Sequence, residues 1–176
     1  MKKSPLFLTQ AAVIAAAYVV LTLPFAQFAF GMIQFRLAEA LTVLAAMTPA
    51  AIPGLFLGCL LANTLNPMSL GPVDIILGSL ATLISAVVTW KLSRALVKDS
   101  TLNAARQMLV IFPGVIFNAL IVGTYLPFLL SEGEPVTAAM IASFVGWIFL
   151  SQTVVIYLIG WPLWTGLRRT KIVRIP

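Results

Sequence analysis

The sequence has no histidine among its 176 residues, a single cysteine, and charge on only 9% of its side chains. Without histidine there is no bis-histidine haem, none of the usual zinc sites, and no imidazole for acid–base catalysis. One cysteine, Cys59, cannot close an internal disulfide. It lies in an apolar run and reads as a small buried hydrophobe. There is no glycine-rich phosphate loop, so ATP binding by that route is excluded. No spacing of nucleophile and base, or of metal ligands, marks an intramembrane enzyme.

What fills the chain is apolar surface, 61% of the residues. A soluble domain carries roughly 25% charged residues, so this composition is that of an integral membrane protein. The net charge of +6 does not point to nucleic acid, because the basic residues form no single patch. They fall at the two chain ends and in one middle segment, as cytoplasmic flanks do. Lys2 and Lys3 before an apolar stretch resemble a signal peptide, but the stretch runs on to about Phe30. That is longer than a signal core and fits a spanning helix.

Turn residues and prolines divide the chain into six helices, at about 6–23, 34–47, 53–65, 73–97, 105–130 and 138–167. This predicts an all-α, six-helix membrane bundle in a single domain. The first helix ends near Pro24, and an outer turn follows from Phe25 to Gly31. Pro49 and Pro53 break the apolar run after Met47, so two short helices form a hairpin there. Pro113-Gly114 predicts a bend in the fifth helix, and Gly160-Trp161-Pro162 an interruption in the sixth. Six crossings with Lys2 and Lys3 inside put Lys91, Arg94, Lys98 and Arg106 inside, and Arg168 to Arg174 inside as well. Glu132 and Glu134 then fall outside. Both termini are expected in the cytoplasm.

Between Lys3 and Asp74 the only charges are Arg36 and Glu39. Charges at membrane depth are costly and call for a partner or a task. Three residues apart, the two would share one helix face, either as a structural ion pair or as part of a ligand wall. In the expected topology Gln34, Arg36, Glu39, Asn63, Asn66 and Asp74 gather in the outer half of the bundle. Asn118 and Gln152 lie nearer mid-depth, with Tyr125 and Trp147 above them. That collection suits a small-molecule pocket. Each residue also has a plainer role: a helix N-terminus for Asp74, interhelical hydrogen bonds for Asn63 and Asn118, an interfacial belt for Tyr125 and Trp147. Ala11/Ala15 and Ala12/Ala16 form small-xxx-small pairs, which suit either packing inside the bundle or docking of a partner helix.

Several stretches also resemble one family. Gln34-Phe35-Arg36-Leu37-Ala38-Glu39-Ala40-Leu41-Thr42-Val43-Leu44 is similar to the signature of the QueT family. So are the segments 51–63, 74–82, 117–123 and 157–163. The resemblance covers nearly the whole chain in order. It implies the substrate-binding S component of an energy-coupling factor (ECF) transporter, capturing a queuosine precursor from outside. The partners it implies are a transmembrane T component and two cytoplasmic ATPases, and no cofactor. The implied cargo is a 7-deazaguanine such as queuine. Glu39 would then accept from the guanine-like edge, and Arg36 would orient it or donate to the ring carbonyl. Asn63 and Asn118 would take the remaining edges, and Asp74 an amine on a cationic side arm. Trp147, Tyr125 or Phe35 would stack on the ring. The alanine pairs resemble the motif through which S components dock. Gln152, in Leu150-Ser151-Gln152-Thr153, departs from the Gly-Glu often found there, so its implied role is a change of ligand preference. Another vitamin-like micronutrient, or a stand-alone secondary transporter for a small solute, is the alternative reading.

Overall fold

The computed structural model describes residues 4–30, 34–96, 103–131 and 133–170. Within them the chain is helical, in six successive passes. Pro5–Ala29, Pro72–Leu96, Ala104–Leu130 and Ala138–Arg169 are long and apolar enough to cross a membrane, and Leu37–Ala46 and Ala51–Leu65 are shorter apolar helices. Their number agrees with the six expected. Lys2, Lys3, Lys98, Glu132, Lys171 and Arg174, on which the expected sidedness also drew, lie outside the described residues.

Local sequence explains where the helices start. Ser4 caps the first helix by accepting from Phe7 N, with Pro5 in the first turn. Asn103 and Thr137 cap the fifth and sixth in the same way. The first helix runs past Pro24 through a short 3-10 turn, Leu23–Phe25, and one further turn, Ala26–Ala29. Proline is tolerated there because the backbone has tightened and few internal N–H bonds remain to lose. Thus part of the segment expected as an outer turn is helical. Pro113 and Pro127 lie inside the continuous fifth helix. In the sixth pass, the interruption expected near Gly160 is a π-helical segment, Val154–Gly160. It ends two residues before Pro162, which lies in the first turn of the following α-helical segment, Trp161–Arg169, and has no N–H to give to the preceding turn. The wide turn brings Gly160 against Ala40 O, where an added Cβ would stand 3.0 Å away.

The second pass differs most from a standard helix. Leu37–Ala46 is 3-10 throughout, whereas such runs seldom exceed three or four residues and often mark a functional segment. Its steeper rise, about 2 Å per residue, lets ten residues reach as far as thirteen in an α-helix. Arg36 precedes it in extended conformation. Gln34, before that, has φ of 50°, a left-handed conformation that costs a non-glycine residue about 1–3 kcal/mol.

Side-chain pairings fix the arrangement. The first and third helices run parallel, with Gly54 against Ala11 and Ile14 and Gly58 against Ala15 and Tyr18. Thr48 reaches Gln10, and Ser93 donates to Ala46 O at 2.7 Å. Trp161 Nε1 donates to Gln107 at 2.8 Å. These contacts bring both ends of the described chain to one end of the bundle, together with Lys91, Arg94, Arg106, Arg168 and Arg169. Asp74 and Glu134 belong to the opposite end. Val43, Met47, Ile111, Ile156 and Trp164 pack the core near the basic end, and Ala81, Leu126, Phe144 and Ile148 pack it near the other.

Candidate ligand site

Glu39 sits in the first turn of the 3-10 helix and is 1% exposed. Its Oε1 accepts from Tyr18 Oη at 2.5 Å and from Thr82 Oγ1 at 3.4 Å. Its Oε2 accepts from Asn118 Nδ2 at 3.1 Å. One carboxylate therefore ties the first, fourth and fifth helices to the second. Hydrogen bonds to a charged acceptor are about twice as strong as neutral ones, and little water competes for them at this depth.

Arg36 is not on the helix that carries Glu39, so the two do not share a helix face as expected. Among the described residues its guanidinium makes no hydrogen bond to Glu39. Nη1 donates to Cys59 Sγ at 3.4 Å and Nη2 to Gln34 Oε1 at 3.2 Å. The cation lies 4.7 Å from the centroid of the Phe30 ring, whose face attracts it. Gln34 is held in turn by its carbonyl, which accepts from Ser151 Oγ and from Gln152 Nε2, each at 3.4 Å. These bonds hold its strained backbone in place.

A third group lies toward the end opposite the basic residues. Asp74 Oδ1 accepts from Tyr125 Oη at 2.7 Å, and Asn63 Nδ2 donates to Asp74 O at 3.3 Å. A Cβ on Gly78 would meet Asn63 Nδ2 at 3.1 Å and Tyr125 Oη at 3.3 Å. Glycine at that position lets the Asn63 and Tyr125 side chains approach the helix backbone closely. The three groups are continuous: Asp74, Gly78 and Thr82 recur every four residues along one face of the fourth helix, as do Cys59 and Asn63 on the third.

Among the described residues, five buried polar atoms along this line have no hydrogen-bond partner: Gln34 Nε2, Arg36 Nε, Asn63 Oδ1, Asp74 Oδ2 and Gln152 Oε1. A buried polar atom left unpaired costs about 1–3 kcal/mol, and such atoms are rare in native interiors. Five in one line mark a place that a polar solute can complete.

The structure thus brings together Gln34, Arg36, Glu39, Asn63, Asp74, Asn118 and Gln152. It does not bring in Trp147, which is 50% exposed on the bundle surface. Asn66 turns instead to the loop backbone, accepting from Met68 N at 3.0 Å. Ala11 and Ala15 are buried against the third helix, while Ala12 and Ala16 face outward. Three residues that sequence reasoning missed belong to the site: Tyr18, Cys59 and Thr82. Cys59 reads as a plain hydrophobe, yet its sulfur lies between Arg36 and Thr82. The four-residue recurrence of Asp74, Gly78 and Thr82, and the four-residue spacing of Cys59 and Asn63, is the signal that would have found two of them.

The family model described as QueT transporter matches residues 8–169. The chain belongs to the QueT transporter family. Its resemblance in the signature stretches is borne out, and with it a multi-pass membrane protein of transport rather than an enzyme. The queuosine precursor transporter QueT of Lactococcus lactis subsp. cremoris (strain MG1363) is 37% identical over 87 residues. That stretch is 48% of this chain and 50% of the relative, so the match spans half of that relative's length. No solved structure matches the chain significantly.

Proposed function

We propose that this QueT family chain is the S component of an ECF transporter, and that it captures a queuosine precursor, a 7-deazaguanine such as queuine, from outside the cell. The observation that carries the reading is the line of unpartnered buried polar atoms around Glu39. Arg36 Nε and Gln34 Nε2 donate to the ring carbonyl side, and Gln152 Oε1 accepts from a ring N–H. Glu39 has room for one more donor on Oε2 and takes the amino edge beside Asn118. The family relative's name supports the cargo class.

The basic end of the bundle faces the cytoplasm in this reading, with both termini, as the positive-inside bias requires. The whole chain forms one membrane domain. Its partners are a T component and two cytoplasmic ATPases. The first helix is the natural docking element, because only 28% of its spanning window is buried, against 56% for the fifth helix. Ala12 and Ala16 supply a smooth outward strip. Ala11 and Ala15 are spent on the third helix.

Replacing Ala12 and Ala16 together with tryptophan is therefore expected to abolish co-purification with the T component while ligand affinity stays unchanged. Pull-down and titration on one preparation check both. Assembly that survives the change would remove this face as the docking surface. Uptake that persists with inactive ATPases would contradict the ECF assignment and favour a stand-alone secondary transporter.

A further inference from the structure

Arg36 and Glu39 are both at most 5% exposed and carry opposite charges, yet among the described residues no hydrogen bond joins them. Opposite charges at this depth attract strongly, because little water screens them. An arginine side chain is long enough to turn toward a neighbouring carboxylate. Something must hold the two apart.

The groups between them are neutral. Tyr18 Oη binds Glu39 Oε1 and stands beside Arg36. The third and fourth helices supply Cys59 and Thr82. Cys59 Sγ lies 3.4 Å from Arg36 Nη1 and 3.5 Å from Thr82 Oγ1, and Thr82 Oγ1 lies 3.4 Å from Glu39 Oε1. The thiol is fully buried, and the third helix that carries it is held tight against the first at Gly58. Sulfur is a weak acceptor. It keeps Nη1 from being stranded without neutralising the guanidinium. Gln34 Oε1 takes Nη2, and the Phe30 ring covers the cation. Arg36 Nε is then left unpartnered, together with Gln34 Nε2. These two donors, on residues at most 5% exposed, mark where a ligand is received. They stay in place only while Arg36 is kept from Glu39. A direct pair would draw the cation away from them and occupy one oxygen of the carboxylate.

We propose that Cys59 is a positioning residue: with Thr82 it separates Arg36 from Glu39, so that both charges remain available to the cargo. The arrangement forgoes the stability of a direct ion pair in favour of binding. This rests on the 7-deazaguanine reading above and adds how the same site is kept open.

The test compares Cys59→Ala with Cys59→Ser in the purified full-length protein in detergent. Alanine and serine leave nearly the same gap, so any cavity cost is common to both, and the hydroxyl is the difference. Serine can still accept from Arg36 Nη1. With alanine the guanidinium turns to Glu39 Oε1, which Thr82 can release because its hydroxyl also reaches Gly78 O at 3.2 Å. Isothermal titration with queuine and with 7-aminomethyl-7-deazaguanine is expected to show Cys59→Ala binding about tenfold or more weakly than Cys59→Ser. Without ligand, Cys59→Ala is expected to unfold at no lower temperature than Cys59→Ser, since the new ion pair replaces the lost bond. A thiol of merely structural importance gives the reverse order, because alanine strands a buried N–H. Equal affinities in the two variants, or earlier unfolding of Cys59→Ala, would overturn the proposal. If the wild-type protein binds neither compound, the 7-deazaguanine reading fails, and the order of unfolding temperatures still decides this inference.

Discussion

Glu39→Ala is expected to lower stability by about 3–5 kcal/mol, the cost of breaking a buried charged pair or network, and to remove ligand binding altogether. Tyr18 Oη, Thr82 Oγ1 and Asn118 Nδ2 would lose their shared acceptor at once. Thr82 and Asn118 can fall back on backbone carbonyls of their own helices, but Tyr18, fully buried, has no such alternative. The Arg36 cation would also lose the nearest opposite charge on its own side of the bundle. Glu39→Gln is milder. It keeps the volume and one acceptor oxygen but puts an NH2 in place of the other, against at least one of the three donors. It is expected to weaken 7-deazaguanine binding by about 1.5–3 kcal/mol. Thermal unfolding in detergent and isothermal titration separate the two effects. A melting temperature unchanged in Glu39→Ala would show that the carboxylate does not tie the helices together.

The second large effect is expected at Gly58. A Cβ there would stand 2.6 Å from Tyr18 Cβ and 3.0 Å from Ala15 O. No rotamer change relieves a clash with a Cβ and a backbone oxygen. Gly58→Val therefore pushes the first helix off the third and costs about 3 kcal/mol, the upper end for overpacking. Because Tyr18 moves with the first helix, its bond to Glu39 breaks too, and ligand binding falls along with stability. Gly146, with nothing within 4 Å of an added Cβ, is the control: Gly146→Ala is expected to leave both properties unchanged. A Gly58→Val protein as stable as this control would contradict the close parallel packing of the first and third helices.

The pattern of these effects shows what was legible in the sequence. Hydropathy and proline placement located six helical passes, because lipid demands long apolar helices whatever their neighbours. The stretch from Gln34 to Glu39 stood out because two charges in an apolar run are conspicuous. Its geometry did not show. The 3-10 backbone and the extended Arg36 arise from tertiary bonds to the first, third and sixth helices, so spacing by helical face failed there. Cys59, Thr82 and Tyr18 were hidden because their side chains are ordinary in membrane helices. Only the partner across the bundle turns each one polar in role. Trp147 shows the converse: an aromatic at the expected height faces outward, since height along a helix does not set the face. In the alanine strip one pair of residues faces the third helix and the other pair faces out, one position apart.

Whether the buried polar line receives a queuosine-type precursor is decided by native mass spectrometry of the purified chain, incubated with an equimolar mixture of 7-deazaguanines and unrelated vitamins. One 7-deazaguanine retained per chain, and lost in Glu39→Gln, is the predicted result. Retention of a vitamin with no 7-deazaguanine adduct would contradict it.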